Sequence, residues 1–317
     1  MSGFYLNSEN QIDNQNVPDE FVEITTELRL HRKQVRGLLA KIVHEFCNEE
    51  QDAEIGEIME YALMSGETYY RSFFARIVGE ALGLSSAKSL FIGEIIEMVH
   101  HYSTMQNNLP EFDNDDFRHS RQTCHKKYGA SKTIIASNAL DAMIYQFITN
   151  CDKVKISKST RCDLVSVISK YSGKDGICGG QMMSLCNKNK PMYSDEMTRL
   201  KKLKQSVLLN AAIDCLFLLS DCSAKEKKAI KTFSNCICSM FNIYDKMQNR
   251  ELNKEELLES AELLRDQIVS SLGIFDDRAK KMICFARYYF FCLQKQSYKN
   301  TSNIEIVKSE AETASAN

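Results

Sequence analysis

The residues best suited to chemistry gather between positions 97 and 129, EMVHHYSTMQNNLPEFDNDDFRHSRQTCHKKYG. Four acids (Glu111, Asp113, Asp115, Asp116) and four bases (Arg118, Arg121, Lys126, Lys127) follow Pro110 in close succession. Clustered carboxylates suit hard cations such as Mg²⁺, and clustered guanidinium and ammonium groups suit phosphates. An acidic loop can hold a cation unaided, although the commoner role of such a loop is a solvated connection. His100 and His101 raise the question of a metal. Adjacent residues on a helix point about 100° apart, so the two do not share one ion. Twelve cysteines are scattered, with no C-x-x-C pair, and Cys236-x-Cys238 lacks the spacing of a zinc site.

Helices must position these groups. Apolar residues recur at helical spacing over Phe21–Cys47, Ile55–Leu63, Ser72–Leu82, Ala87–Gln106, Ser131–Thr149, Arg161–Tyr171, Glu196–Leu219, Ala224–Gln248, Lys254–Leu272 and Asp276–Gln294. The fourth carries the histidines. Pro110 marks its end, because proline disfavours helical geometry in the residue before it. Gly179 and Gly180 permit close helix approach, while Met182–Met183 and the aromatic run Tyr288–Phe291 read as core. No segment alternates with the period of a strand between hairpin signals. The expected fold is all-α, one domain of about ten or more helices over residues 20–297, between polar tails at 1–19 and 298–317.

Bulk composition excludes several functions. The 317 residues are 44% hydrophobic and 26% charged with a formal charge of −2, so nothing favours nucleic acid or an anionic membrane as partner. Three prolines and thirteen glycines are few, which suits long helices. The greasiest run, Ser206–Leu219, is interrupted by Asn210 and Asp214 and is too short to span a bilayer. Free-thiol usage and the polar, acidic N-terminus predict a reduced, cytoplasmic protein without a signal peptide.

The central stretch resembles the first substrate-binding region of the trans-isoprenyl diphosphate synthases, the family that makes farnesyl and geranylgeranyl diphosphate. Glu97, His100, Tyr102, Ser103, Leu109, Pro110, Asp113, Asp116, Arg118, Thr123, His125, Lys126 and Gly129 stand in register with its pattern. Four further stretches follow in order. Gly66-Glu67-Thr68-Tyr69-Tyr70-Arg71-Ser72 matches G-G-K-R-L-R-P, and Gly176–Gln181 matches G-M-x-x-G-Q. Lys204–Leu208 stands at K-T-G-A-L, and Phe241–Asn249 at F-Q-x-x-D-D-x-x-D.

The resemblance implies a helical bundle that ionises an allylic diphosphate for attack by isopentenyl diphosphate, with Mg²⁺ held between two aspartate-rich motifs. Those motifs are depleted here. Asn107 and Asn108 replace two aspartates of the first and leave Asp113; Lys246 and Asn249 replace two of the second and leave Asp245. Asparagine keeps the shape and a neutral oxygen, but the charge is lost. Of the diphosphate contacts, the resemblance retains Arg71, His100, Arg118 and Lys204, while Thr68, His119, Gln205 and Asn242 stand where lysine, arginine, threonine and glutamine are usual. Tyr102 lies on the helix that faces the growing hydrocarbon, and its bulk implies a short product.

The expectation is a degenerate homologue, inactive or strongly impaired, that uses the fold for binding. The resemblance gives it a homodimer, or a heterodimer with an active prenyl synthase, and a prenyl or lipid ligand. The alternative is a divergent active prenyltransferase, which would need Mg²⁺.

Overall fold

The computed structural model describes residues 17–65, 68–188, 190, 192–249 and 253–295. Most of both expected tails, Gly66 and Glu67 of the first motif, and the side chains of Gln205 and Asn249 lie outside the described residues. The chain forms two compact units that divide at residues 227 and 228. As expected the protein is all-α.

The first unit comprises α1 (Asp19–Phe46), α2 (Ala53–Leu63), α3 (Tyr70–Ala81), α4 (Ser86–Asn107), α5 (Cys124–Tyr128), α6 (Ala130–Asn150), α7 (Lys158–Ser172), α8 (Ile177–Cys186), α9 (Ser194–Lys201) and α10 (Val207–Leu218). Helix α4 is its axis. It packs against α1, α2, α3, α6 and α10, and is buried on nearly every side from Phe91 to Asn107. Its sequence explains this: Ile92, Ile95, Ile96, Met98 and Val99 form one broad apolar face, and the other side is filled by buried polar residues, Glu97 and His100 among them, so the helix is central without being apolar all round. Each of those apolar side chains contributes about 1.5–3 kcal/mol by leaving water. The Ser85 hydroxyl caps its N-terminus by accepting from the Lys88 amide.

Close approach of α3 and α4 depends on Gly93. A Cβ there would lie 2.3 Å from the Ser72 Oγ and 3.1 Å from the Ser72 Cα. The consequence is that the next turn of α4 reaches over the first turn of α3.

Three local features depart from the periodic reading. The expected helix Glu196–Leu219 is interrupted by a π-helical turn at Lys202–Ser206 between α9 and α10. The acidic loop ends in a two-residue antiparallel ladder, β1 (Phe117–Arg118) with β2 (Arg121–Gln122), too short to show alternation. Helix α8 carries Met182 on its surface, 61% exposed, so Met182 is not the core residue that its hydrophobicity suggests. The helix is apolar without a single apolar face, and hydrophobicity alone does not say which side turns inward.

In the second unit α11 (Ala224–Asn249), from residue 228, is followed by α12 (Lys254–Ser271), a 3₁₀ segment (Leu272–Ala279) and α13 (residues 280–295). The expected helix from Asp276 therefore begins four residues later. Asp276 adopts φ 48° and ψ −130°, which no helix accommodates. Phe241 meets Tyr289 edge to face at 5.0 Å, and Arg265 lies 4.8 Å from the ring of Phe290. Tyr288, Tyr289 and Phe290 are buried, as their type predicts.

Candidate functional site

One face of α4 carries Glu97, His100, Thr104 and Asn107, spaced at three, seven and ten residues from the first. At 3.6 residues per turn these stack along a single stripe about 15 Å long. All four are buried.

Glu97, 1% exposed, caps a helix that is not its own. Helix α3 starts without a side-chain cap, its N-cap Tyr69 held at φ 49° in the left-handed region. The Glu97 Oε1 accepts from the Ser72 backbone amide at 3.0 Å, and the Arg71 amide also donates to this carboxylate. Two of the four orphan donors of α3 are thereby satisfied by a residue twenty-five positions away. Burial raises the Glu97 pKa, against the pull of Arg71 and the two amides. The Ser72 hydroxyl is 3.0 Å from the His31 Nε2 on α1, so three helices meet at this residue. Proline, usual in the family pattern at this position, offers neither the amide hydrogen nor the hydroxyl.

His101 lies one turn beyond Glu97. Its Nδ1 donates to the Glu97 carbonyl at 2.7 Å, and its ring stacks on Tyr69 at 5.9 Å. His100 and His101 diverge from the helix axis but their rings still touch edge to face, 5.2 Å apart. Both are neutral. Burial holds the His101 pKa down at about 3 and that of His100 well below the usual range, with Arg71 and Arg118 adding to both effects. Arg71, His100 and Arg118, three of the four diphosphate residues expected from sequence, therefore share one electropositive region. His119 also acts on both histidines.

Arg118 reaches that region on the β1–β2 ladder. His119 and Ser120, the two residues of its turn, both have positive φ (51° and 59°), as a type I′ turn requires. Two contacts fasten the ladder to α2: the Arg121 Nη1 donates to the Met64 carbonyl at 3.0 Å, and the Tyr61 hydroxyl donates to the Gln122 carbonyl at 2.8 Å. The Arg121 guanidinium also lies over the Tyr61 ring at 4.4 Å. Thr123 closes the acidic loop by donating to the Asp115 carbonyl at 2.7 Å, and Lys126 pairs with Asp116 at 2.9 Å. None of these anchoring roles was readable from the motif. Arg121 and Tyr61 are far apart in sequence, and only the positive φ positions carry a signal, in the glycine that the family pattern has at Ser120.

The end of α4 differs. Asn107 and Asn108 are 4% and 6% exposed, and the Asn107 Nδ2 is buried with no hydrogen-bond partner. The Asp113 amide donates to the Asn107 carbonyl at 2.9 Å and folds the loop back onto the helix, while residues 113–116 remain exposed. Lys204, on the π-helical turn, donates to the Ser184 Oγ at 3.0 Å and feels the Asp113 charge; burial nevertheless lowers its pKa. Gly180 lets α8 lie against that turn, since a Cβ there would be 2.9 Å from the Leu203 Cβ. Tyr102 is buried on α4 under the electrostatic influence of Asp141, Tyr145 and Cys178.

In the second unit, Asp245 and Lys246 are successive, half-buried residues of α11. The Asn242 Oδ1, one turn earlier, is buried without a hydrogen-bond partner.

These donors do not fit a Mg²⁺ cluster. Such a cluster needs several anionic oxygens, and the buried end of α4 offers two neutral amides, one with an N–H where a cation needs a lone pair. Among the described residues, no three His, Cys, Asp or Glu side chains gather as metal ligands. Nor is any described helix long and apolar enough to cross a membrane.

The pattern of the family described as polyprenyl synthetase matches residues 28–270. The chain is 27% identical over 262 residues to a farnesyl diphosphate synthase of Buchnera aphidicola subsp. Schizaphis graminum, covering 81% of this chain and 87% of that one. It is 29% identical over 163 residues to the farnesyl diphosphate synthase of Escherichia coli K12, a match covering 51% of this chain and spanning only about half, 54%, of that enzyme. Among solved structures, an FPP/GFPP synthase from Zymomonas mobilis superposes with a TM-score of 0.75 at 24% identity, over 84% of this chain and 99% of the other. A geranyltransferase from Legionella pneumophila superposes equally well at 20% identity, covering 84% and 98%. At such identities these two likenesses show the fold.

Proposed function

Because the chain belongs to the polyprenyl synthetase family, we propose that it is a catalytically impaired member that works by binding an isoprenyl diphosphate or a related prenyl ligand. One observation carries this reading: where the family pattern places paired aspartates, the end of α4 presents the buried neutral amides of Asn107 and Asn108. Ionising an allylic diphosphate requires stabilising a leaving pyrophosphate, work that Mg²⁺ does when carboxylates hold it. Loss of that charge removes the step, while the helical core and the cationic residues Arg71, Arg118 and Lys204 still favour an anionic headgroup. A binding role fits either a homodimer or a partner subunit to an active prenyl synthase, in the cytoplasm.

A second reading has its own support. On this reading Asp113, Asp115, Asp116, Asp245, Arg71, Arg118 and Lys204 would supply a reduced set of metal and phosphate groups, and the named relatives are farnesyl diphosphate synthases. That reading makes the chain a slow prenyltransferase condensing isopentenyl diphosphate with an allylic diphosphate.

The test is prenyl transfer by the purified chain, with labelled isopentenyl diphosphate and dimethylallyl, geranyl or farnesyl diphosphate, in Mg²⁺ and in EDTA. The expected result is no elongation in either. Metal-dependent elongation, abolished by Asp113→Ala or Asp245→Ala, establishes the enzyme instead.

A further inference from the structure

The charges of α1 are sorted by face. Arg29, Arg32, Lys33 and Arg36 recur at three, four and seven residues from the first. At 100° per residue they fall within about 100° of arc and form a basic stripe about 10 Å long. Arg29 and Lys33 are exposed, Arg32 and Arg36 half-buried, and among the described residues none of the four is in an ion pair. Of the acids on this helix, Glu27 pairs with Arg76, and Glu45 with Lys41 and Lys153. Arg121 of the ladder extends the positive field, since it acts on Tyr69 together with Arg32 and Arg36. Leu30, 60% exposed, flanks the stripe about 60° round the helix from Lys33.

Helix α12 of the second unit carries the converse. Glu255, Glu259, Glu262 and Asp266 are exposed and fall within about 60° of arc, on the side away from the buried Leu257, Ala261 and Ile268. Arg265 pairs with Glu262 and Asp266 at 2.8 Å, whereas Glu255 and Glu259 are in no ion pair among the described residues, so the stripe stays net acidic. Leu263, 72% exposed, flanks it on the same rotational side as Leu30 flanks the basic stripe. Two facing helices bring such shoulders together only when they run antiparallel. Setting Leu30 beside Leu263 in that orientation puts Arg36 opposite Glu255, Lys33 opposite Glu259, and Arg29 with Arg32 opposite Glu262. Each match is within about 3 Å along the axes, at the rise of an α-helix. One exposed ion pair is worth little, but a row of them in step with an apolar contact fixes a partner and its orientation.

We propose that the basic face of α1 docks the acidic face of α12 in a second copy of this chain, antiparallel, with Leu30 against Leu263. The proposal rests on the homodimer reading above for its second copy and is independent of any loss of catalysis, because mass and prenyl transfer are read separately.

The experiment is sedimentation velocity of the full-length protein over a concentration series, in about 50 mM and about 500 mM NaCl. The association is expected to weaken at least about tenfold at the higher salt. A mass that stops at two chains shows a pair of these contacts closed by a two-fold axis, and one that climbs with concentration shows an open head-to-tail chain; both support the contact. At low salt, Arg29→Glu with Lys33→Glu, or Glu255→Lys with Glu259→Lys, is expected to weaken the same step at least about tenfold by setting like charges face to face. An equal mixture of the two double variants, and one chain carrying all four substitutions, are each expected to recover it, which separates lost complementarity from misfolding. Association insensitive to salt, no association in either buffer, double variants that associate as well as the unmutated chain, or a loss that neither the mixture nor the fourfold variant recovers overturns the proposal. Metal-dependent prenyl transfer would end the impaired-enzyme reading and leave this contact standing.

Discussion

The two ends of the α4 polar stripe differ in how their buried groups are partnered. At Glu97 a carboxylate sits in the interior with two backbone amides donating to it, beside the Ser72–His31 hydrogen bond. At Asn107, ten residues along the same face, the charge has gone and an amide nitrogen is left without an acceptor. Burial is equal at both ends. What differs is the work done: the Glu97 carboxyl accepts from the amides that start α3 and so holds that helix in place, whereas the Asn107 Nδ2 holds nothing and has no acceptor. A structural carboxylate cannot be removed without exposing its donors. One that caps no helix can change to its amide with the backbone unaltered.

Breaking the satisfied end gives the largest effect. Glu97→Ala strands the Ser72 and Arg71 amides, and the expected loss is about 3 kcal/mol of stability by urea denaturation. Asn107→Leu, by contrast, removes a stranded polar group and is expected to change stability by less than about 1 kcal/mol. A small loss at Glu97, or a large one at Asn107, collapses the contrast.

Acid tests the same end. His31 and His101 have pKa values near 3 in the folded protein, below the ordinary 6.5, because burial disfavours their charged form. The unfolded chain therefore binds more protons between pH 6.5 and 3. Their stabilisation is complete above pH 6.5 and is lost as pH falls, by up to about 1.4 kcal/mol per unit for each histidine. Glu94, raised to about 7 by burial, works in the opposite sense, favouring the fold at acid pH and losing that contribution as pH rises from about 4.5 to 7. Urea midpoints from pH 4 to 7 are expected to fall toward acid, less steeply in His31→Asn and more steeply in Glu94→Gln. A flat profile in the unmutated protein shows that these histidines titrate normally.

Smaller effects concern the ladder that carries Arg118. Arg121→Ala removes the bond to the Met64 carbonyl and the stacking on Tyr61, and about 1 kcal/mol should be lost with faster amide exchange confined to residues 117–122. Ser120→Gly relieves a left-handed residue at some entropic cost, for a net gain of roughly 0.5 kcal/mol in the melting equilibrium. Destabilisation by this glycine means the turn is not left-handed at Ser120.

Sequence alone determined the all-α class, most helix positions and the family resemblance. Apolar spacing reports a helix wherever one face is dry, and Pro110 reports the end of α4. The motifs also located Arg71, His100, Arg118 and Asn107, since each is defined by its neighbours along the chain. The tertiary structure decided which of those residues are satisfied. That Glu97 caps α3, that Ser72 meets His31, that Arg121 fastens the ladder to Tyr61, and that the Asn107 nitrogen has no acceptor are relations between residues brought together by packing. The π-helical turn under Lys204 and the 3₁₀ start before α13 belong with them. Both change hydrogen-bond register without changing the apolar spacing that sequence reading detects, and the start at residue 280 follows from the non-helical backbone of Asp276.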